Sequence, residues 1–135
     1  MNAHFRPMQW VCSKDGCFND KHRLDFSEFY DALPGRISFS DVDAITEVNS
    51  HALIMEWKSR LGNLPAGQRI MFERLTKGKT FSVLCVVKDP NTHSVTHVGK
   101  FFDGKWHGWF VGTNEDVFNS IKKWAGWAQS NRVAA

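Results

Sequence analysis

Alternating apolar and polar residues near the centre of the chain predict a β-hairpin. Two segments, about Ser38–Val48 and Ala52–Lys58, are rich in β-branched residues, which favour strands. Asn49-Ser50 lies between them and offers a tight two-residue turn. We therefore expect an antiparallel pair of strands in which the residues on either side of the turn are partners.

The register of this hairpin brings charged side chains together. Counting back from the turn places Asp43 opposite Glu56 on one face of the sheet. Lys58 shares that face with Asp41 opposite it, whereas Trp57 points to the other face and is expected to enter the core. Like charges opposite each other on a ladder are unfavourable, and a divalent cation between the two carboxylates would reverse that penalty.

The rest of the chain predicts three helices and three further strands. A helix from Asp25 to about Leu33 begins with an Asp25-x-x-Glu28 capping pattern, and Pro34-Gly35 ends it. The remaining elements are a helix at about Gln68–Lys77, an inner strand at Phe81–Val87, two strands flanking Asp103-Gly104, and a helix at about Asn114–Ser130 capped by Thr113. The predicted order is α-β-β-α-β-β-β-α, a mixed α/β fold.

Length and composition favour one domain over residues 1–135. Within it we expect a turn-rich segment at 1–24, a motif-bearing core at 25–87, and a Trp-rich hairpin with a final helix at 88–135. No segment has the run of roughly 20 apolar residues that a membrane span needs, and the N-terminus lacks the apolar region of a secretory signal. We expect a cytoplasmic protein without a membrane partner.

Positive charge is concentrated after the hairpin. The formal net charge is only +3, but basic residues outnumber acidic ones between positions 58 and 79. Such a segment would attract a phosphate backbone, and a solvated helix face is the alternative interpretation. The candidate DNA-binding residues are Arg60, Arg69, Lys77 and Lys79.

The three cysteines do not suggest a disulfide framework. Cys85 lies in an apolar run and is expected in the core. Cys12 and Cys17 are separated by four residues with His22 nearby, and no fourth ligand is evident. Because structural zinc sites use four ligands, we do not expect zinc at this pair, although a zinc-stabilised interaction domain stays an alternative.

The acidic pair has the chemistry of a magnesium site. Magnesium binds a few carboxylates and keeps several waters, so Asp43 and Glu56 are candidate ligands together with the backbone carbonyl of Trp57. Lys58 could orient a metal-bound water or offset charge in a transition state. Its ammonium should stay protonated beside two carboxylates.

The residues Asp43 and Glu56-Trp57-Lys58 resemble the D…(D/E)xK signature of the PD-(D/E)xK nuclease superfamily. Gly67-Gln68 resembles the additional glutamine of virus-type replication-repair and lambda-exonuclease-like members. The likeness covers Asp25 to about Val87 and is closest in style to small phage nucleases and Holliday-junction resolvases. It implies a restriction-endonuclease-like core and magnesium- or manganese-dependent hydrolysis of DNA phosphodiester bonds, on branched or single-stranded DNA in phage replication, recombination or repair. If the protein is phage-encoded, its location is the host cytoplasm. Asp43 and Glu56 would bind metal, and Lys58 and Gln68 would position water.

Other residues carry weaker expectations. The resemblance makes Glu28 a possible accessory acid and Asp41 a salt-bridge partner or second ligand, and junction-resolving relatives suggest a homodimer. Trp106, Trp109, Trp124 and Trp127 could stack on unpaired bases or pack in the core, which we favour for Trp124. The second functional hypothesis is a catalytically silent nucleic-acid-binding or host-takeover module on the same fold.

Overall fold

The structure is a computed structural model that describes residue 24 and residues 26–132. The chain divides into two compact units, one ending at Asp41 and the other beginning at Val42. The prediction of a single nuclease-like domain stays a prediction. No helix in the described part of the chain is long and apolar enough to cross a membrane.

The described part of the first unit contains one short helix. It is a 3₁₀ helix at Phe26–Ala32, where the sequence predicted an α-helix from Asp25, and none of its residues is buried. Phe39 packs against Phe26 and Tyr30 with ring centroids 5.6 and 6.3 Å apart. Asp25, and with it the predicted capping pair, lies outside the described residues.

The second unit is built on a sheet of five strands in the order β1-β2-β3-β4-β5. The strands are β1 at Ala44–Val48, β2 at His51–Lys58, β3 at Phe81–Lys88, β4 at Val95–Phe102 and β5 at Lys105–Val111. All neighbours are antiparallel except β2 and β3, which are parallel. The predicted mixed α/β class and the order of elements from the first hairpin onward are therefore confirmed.

Two α-helices cover the two faces of this sheet. Helix α1, Ala66–Leu75, connects β2 to β3, as a parallel pair requires. Its Phe72 is fully buried against Ile54, Val83 and Phe101. Helix α2, Asn114–Ser130, follows β5 and covers the other face. There the partly buried Val117, Ile121 and Trp124 pack against Leu53, Leu84, Val86 and Val98.

Local signals account for the ends of α2 and for the hairpin turns. The Thr113 hydroxyl accepts from Asp116 N–H and the Asp116 carboxylate accepts from Thr113 N–H, a complete capping box. Asn49 and Ser50 both have positive φ, as a two-residue hairpin turn requires, and Val48 pairs with His51 as predicted. Asn49 Nδ2 donates to the Ala128 carbonyl 3.0 Å away, which fastens this turn to α2.

Two expectations for the first hairpin are wrong. β1 begins at Ala44, not Ser38, so Asp41 and Asp43 both precede the strand. Trp57 does point away from Glu56, but its side chain is 55% exposed instead of buried. It lies near the end of β2, beyond the Leu53 and Met55 side chains that pack in the α2 core.

Candidate active site

A cluster of polar side chains lies where β1 begins, β2 ends and α1 begins. The ladder extends to Ala44 and Met55, so Asp43, the residue before β1, comes beside Glu56. The Asp43 Oδ2 atom accepts a hydrogen bond from the Trp57 N–H over 2.9 Å. Because the N–H and C=O of one strand residue point to the same side, the Trp57 carbonyl also faces the Asp43 side.

Glu56 is the buried acid of the cluster. Its side chain is only 4% exposed and points to the α1 face, with Cys85 as its partner on β3. Within the described residues Glu56 Oε1 has no hydrogen-bond partner, while Oε2 accepts from Gln68 Nε2 at 3.3 Å. Burial raises the pKa of this carboxyl, and the nearby charge of Asp43 raises it further. A backbone hydrogen bond from Asp43 and the Lys58 charge lower the pKa, whereas a hydrogen bond between the two carboxyl groups raises it.

Gln68 links the lysine to the buried acid. Lys58 Nζ donates to Gln68 Oε1 over 2.6 Å, and the amide nitrogen of the same glutamine donates to Glu56. Period-two alternation puts Glu56 and Lys58 on one face of β2, and Gln68 reaches them from the first turn of α1. The structure thus brings together the four residues proposed as catalytic. Their catalytic roles remain predictions.

Cys85 is a neighbour of the cluster that the motif does not contain. Its side chain is fully buried beside Glu56 in the parallel register. Burial raises the pKa of its thiol to about 12, and the Glu56 charge adds to the effect. The apolar sequence around it correctly predicted burial, but its position beside Glu56 required the β2–β3 register. This thiol is therefore an uncharged side chain that borders the site.

The donor set suits a small hard cation. A buried carboxylate oxygen without a partner beside a second carboxyl is an arrangement that a bound cation would satisfy. Asp43, Glu56 and the Trp57 carbonyl supply oxygen ligands, as magnesium prefers. Among the described residues no group of three or more His, Cys, Asp and Glu side chains is placed to hold a metal, so further ligands would be carbonyl, water or substrate oxygens.

The predicted DNA-binding residues fall at two ends of α1. Arg60 follows β2 and Arg69 lies in the first turns of α1, both exposed near the cluster. Arg69 is also paired with Glu73 at 2.9 Å. Lys77 and Lys79 follow the other end of the helix, roughly 15 Å away from its start given a rise of about 1.5 Å per residue.

Several predicted residues cannot be joined to this site. Glu28 lies in the 3₁₀ helix of the first unit and Asp41 is the last residue of that unit, so their accessory roles stay predictions. Cys12 and Cys17 lie outside the described residues. Zinc at that pair remains untested.

The tryptophans of the C-terminal half pack against other rings. Trp106 lies 4.8 Å from Phe101 and 5.1 Å from Trp109, by ring centroids, and Trp109 Nε1 donates to the Gly62 carbonyl at 3.0 Å. Trp127 contacts His51 with centroids 4.5 Å apart. Trp124 is partly buried in the α2 core, as favoured from the sequence.

Comparisons of the chain with protein-family models, with curated proteins and with solved structures give no match.

Proposed function

We propose that this protein is a metal-dependent DNA nuclease with a restriction-endonuclease-like core. One observation carries the proposal: Glu56, a buried glutamate with one oxygen that has no partner among the described residues, lies beside Asp43 and is bonded through Gln68 to Lys58. This combination joins a place for a cation to a positioned ammonium. Phosphodiester hydrolysis needs both, because negative charge increases on the phosphate as water attacks.

Asp43 and Glu56 would hold Mg²⁺ or Mn²⁺, with the Trp57 carbonyl as a third oxygen. The ion would neutralise charge on the phosphate and acidify a bound water. Without a cation, burial and the Asp43 charge favour the protonated form of Glu56. A cation favours the ionised form, so metal binding should lower the pKa of this carboxyl and become weaker as pH falls.

Lys58 and Gln68 act as the polar arm of the site. The 2.6 Å bond to Gln68 Oε1 fixes the direction of the ammonium, which has further protons free to donate. These can hold the attacking water or a phosphate oxygen. Gln68 also donates to Glu56, so one amide group orients both the Lys58 ammonium and the Glu56 carboxyl. Gln68 is therefore a positioning residue.

Arg60 and Arg69 are the residues that would hold the DNA backbone near the cluster. Both are exposed, and each phosphate contact that they make should add salt dependence to binding. Lys77 and Lys79 would contact phosphates farther along the strand, because they lie at the other end of α1. Replacing one of these two lysines should lower the affinity for DNA without changing the rate at which bound DNA is cleaved.

The test is a cleavage assay on plasmid, single-stranded and branched DNA with Mg²⁺ or Mn²⁺. We expect cleavage by the wild-type chain, and losses of roughly 100-fold or more in Glu56→Gln and Lys58→Met. Glu115→Gln and Lys122→Met are the matched controls, because both residues are exposed on α2 over the other face. Wild-type rates in the two site variants would refute the assignment of catalysis to this cluster.

A binding-only module is the second candidate. It is favoured by the closed Lys58–Gln68–Glu56 network and by the lack of a third acidic ligand among the described residues. Calorimetric titration with Mn²⁺ distinguishes the two functions. A nuclease should bind the ion and lose that binding in Glu56→Gln. A binding module should bind DNA equally with and without the ion.

A further inference from the structure

The α2 face of the sheet has a cavity whose polar groups differ from those of the acidic cluster. A cavity of about 320 Å³ lies between the C-terminal half of α2 and strands β2 to β5. This volume is at the lower end of the range for small-molecule sites, roughly 300–1,000 Å³. Its aromatic walls include Phe102, Phe110, Trp124 and Trp127.

Two polar residues that line this cavity lie at strand positions whose side chains point to the same face as the apolar core residues. Ser82 is in line with Leu84 on β3, and Lys100 is in line with Val98 on β4. Leu84 and Lys100 are direct partners in the antiparallel register. The strands therefore direct a hydroxyl and an ammonium-bearing chain toward the space beneath α2.

The buried donors of the cavity are unsatisfied. Ser82 is 7% exposed, and within the described part of the chain neither its Oγ nor Trp124 Nε1 has a hydrogen-bond partner. An indole N–H can only donate. A buried donor without a partner lowers stability, so two in one cavity indicate that a bound molecule accepts from them.

The charges around the cavity have one sign. Lys100 and Lys123 both line it and are exposed, and among the described residues no carboxylate lines it. The ligand must therefore offer acceptors and negative charge at the polar side and a flat apolar surface to the rings. A neutral or cationic molecule would leave the donors or the lysines without a complement.

We propose that this cavity binds a small planar organic anion, an aromatic ring that bears one carboxylate or phosphate group. The ring lies against Trp124 and Phe102, and the anionic group accepts from Ser82 and the Trp124 N–H and pairs with Lys123 and Lys100. The site is independent of the proposed nuclease site, because Glu56 and Lys58 are on the opposite face of the sheet.

The test uses calorimetry and tryptophan fluorescence with three probes. 1-Naphthaleneacetate carries the aromatic carboxylate, deoxyadenosine monophosphate carries the ring with a phosphate, and 1-naphthaleneacetamide is the neutral match of the first. We expect binding of at least one anion, at least roughly tenfold tighter than the amide, which is a difference of about 1.4 kcal/mol. The preferred anion distinguishes a free aryl acid from a nucleotide as the natural ligand.

Variants separate recognition from folding. Lys123→Met should weaken anion binding roughly tenfold, whereas Lys122→Met, the exposed neighbour outside the lining, should not change it. Ser82→Ala should also weaken binding, and yet leave the ligand-free protein as stable as the wild type or more stable, because it removes an unsatisfied hydroxyl. If Ser82 had only a structural role, Ser82→Ala would instead lower the free energy of unfolding and leave the affinity for the anion unchanged.

Three results would overturn the proposal. The first is no binding of either anion, and the second is equal binding of the anion and the amide. The third is a mass that rises with protein concentration while the probes do not bind, because a second copy would then cover the cavity.

Discussion

Replacing Glu56 by glutamine should make the protein less sensitive to alkaline pH. The wild-type carboxyl has an ordinary pKa of 4.5 when unfolded, and burial beside Asp43 raises its pKa in the fold. Between these two values the folded state holds a proton that the unfolded state has lost. The free energy of unfolding therefore falls as pH rises through this window, and the loss is complete above the folded pKa. Below 4.5 both states are protonated and no loss occurs.

The size of the effect follows from the environment of the carboxylate. The side chain is buried, and ionisation leaves a charged acceptor that only the 3.3 Å bond from Gln68 and a backbone hydrogen bond from Asp43 satisfy in part. Such a group costs roughly 1–3 kcal/mol. Glutamine keeps the shape and an acceptor for Gln68 but does not ionise. The stability of Glu56→Gln relative to wild type should therefore increase by about 1–3 kcal/mol between acidic and mildly alkaline pH.

The assay is urea unfolding at a series of pH values in the presence of a chelator. The control is Glu73→Gln, whose carboxylate forms a partly exposed i,i+4 pair worth only about 0.3–0.5 kcal/mol. Saturating Mn²⁺ should then stabilise the wild type, by about 2.7 kcal/mol at 100 times the dissociation constant, and not the Glu56→Gln variant. Parallel stability curves for wild type and Glu56→Gln across the pH series would refute this account of the buried acid.

Three further predictions concern packing, capping and reactivity. A Cβ at Gly99 would lie 2.2 Å from the Trp106 ring, so Gly99→Ala should lower the free energy of unfolding by about 1–3 kcal/mol, and urea unfolding checks it. Thr113→Ala should cost about 1 kcal/mol and Thr113→Ser less, because only serine retains the cap; thermal melting compares them. Cys85 is buried and the pKa of its thiol is raised to about 12, so it should resist iodoacetamide until urea unfolds the chain. Peptide mass mapping checks this, and a modified Cys85 in the native protein would contradict it.

The sequence was sufficient to predict the geometry of the acidic cluster because its determinants are local. A two-residue turn fixes the register of a hairpin, and period-two alternation then fixes which side chains share a face. The Val48–His51 pair follows from these rules. The position of Asp43 near Glu56, one residue beyond the last pair of the ladder, follows from them too. Gln68 needed only the position of the next helix, which the structure begins at Ala66.

What the sequence could not predict depended on distant packing. Alternation correctly turned Trp57 away from Glu56, but whether any element covers it depends on where α2 crosses the sheet. The α2 core reaches Leu53 and Met55 and leaves the Trp57 side chain exposed. The β-branched residues suggested a first strand from Ser38, yet Val42 is exposed and β1 begins after it, at Ala44. A strand propensity without a partner strand does not form a ladder.

The two proposed sites share one physical signature on opposite faces of the same sheet. Glu56 is a polar residue on the α1 face, where its strand neighbour Ile54 is part of the core. Ser82 is a polar residue on the α2 face, where its strand neighbour Leu84 is part of the core. Each buries a polar atom that has no partner within the described residues, which lowers stability unless a ligand satisfies it. The unsatisfied atom is an acceptor beside a second acid at Glu56, and a donor near lysines at Ser82. One face is therefore suited to a cation and the other to an anion, so each ligand should stabilise the protein in a way that only its own variant abolishes.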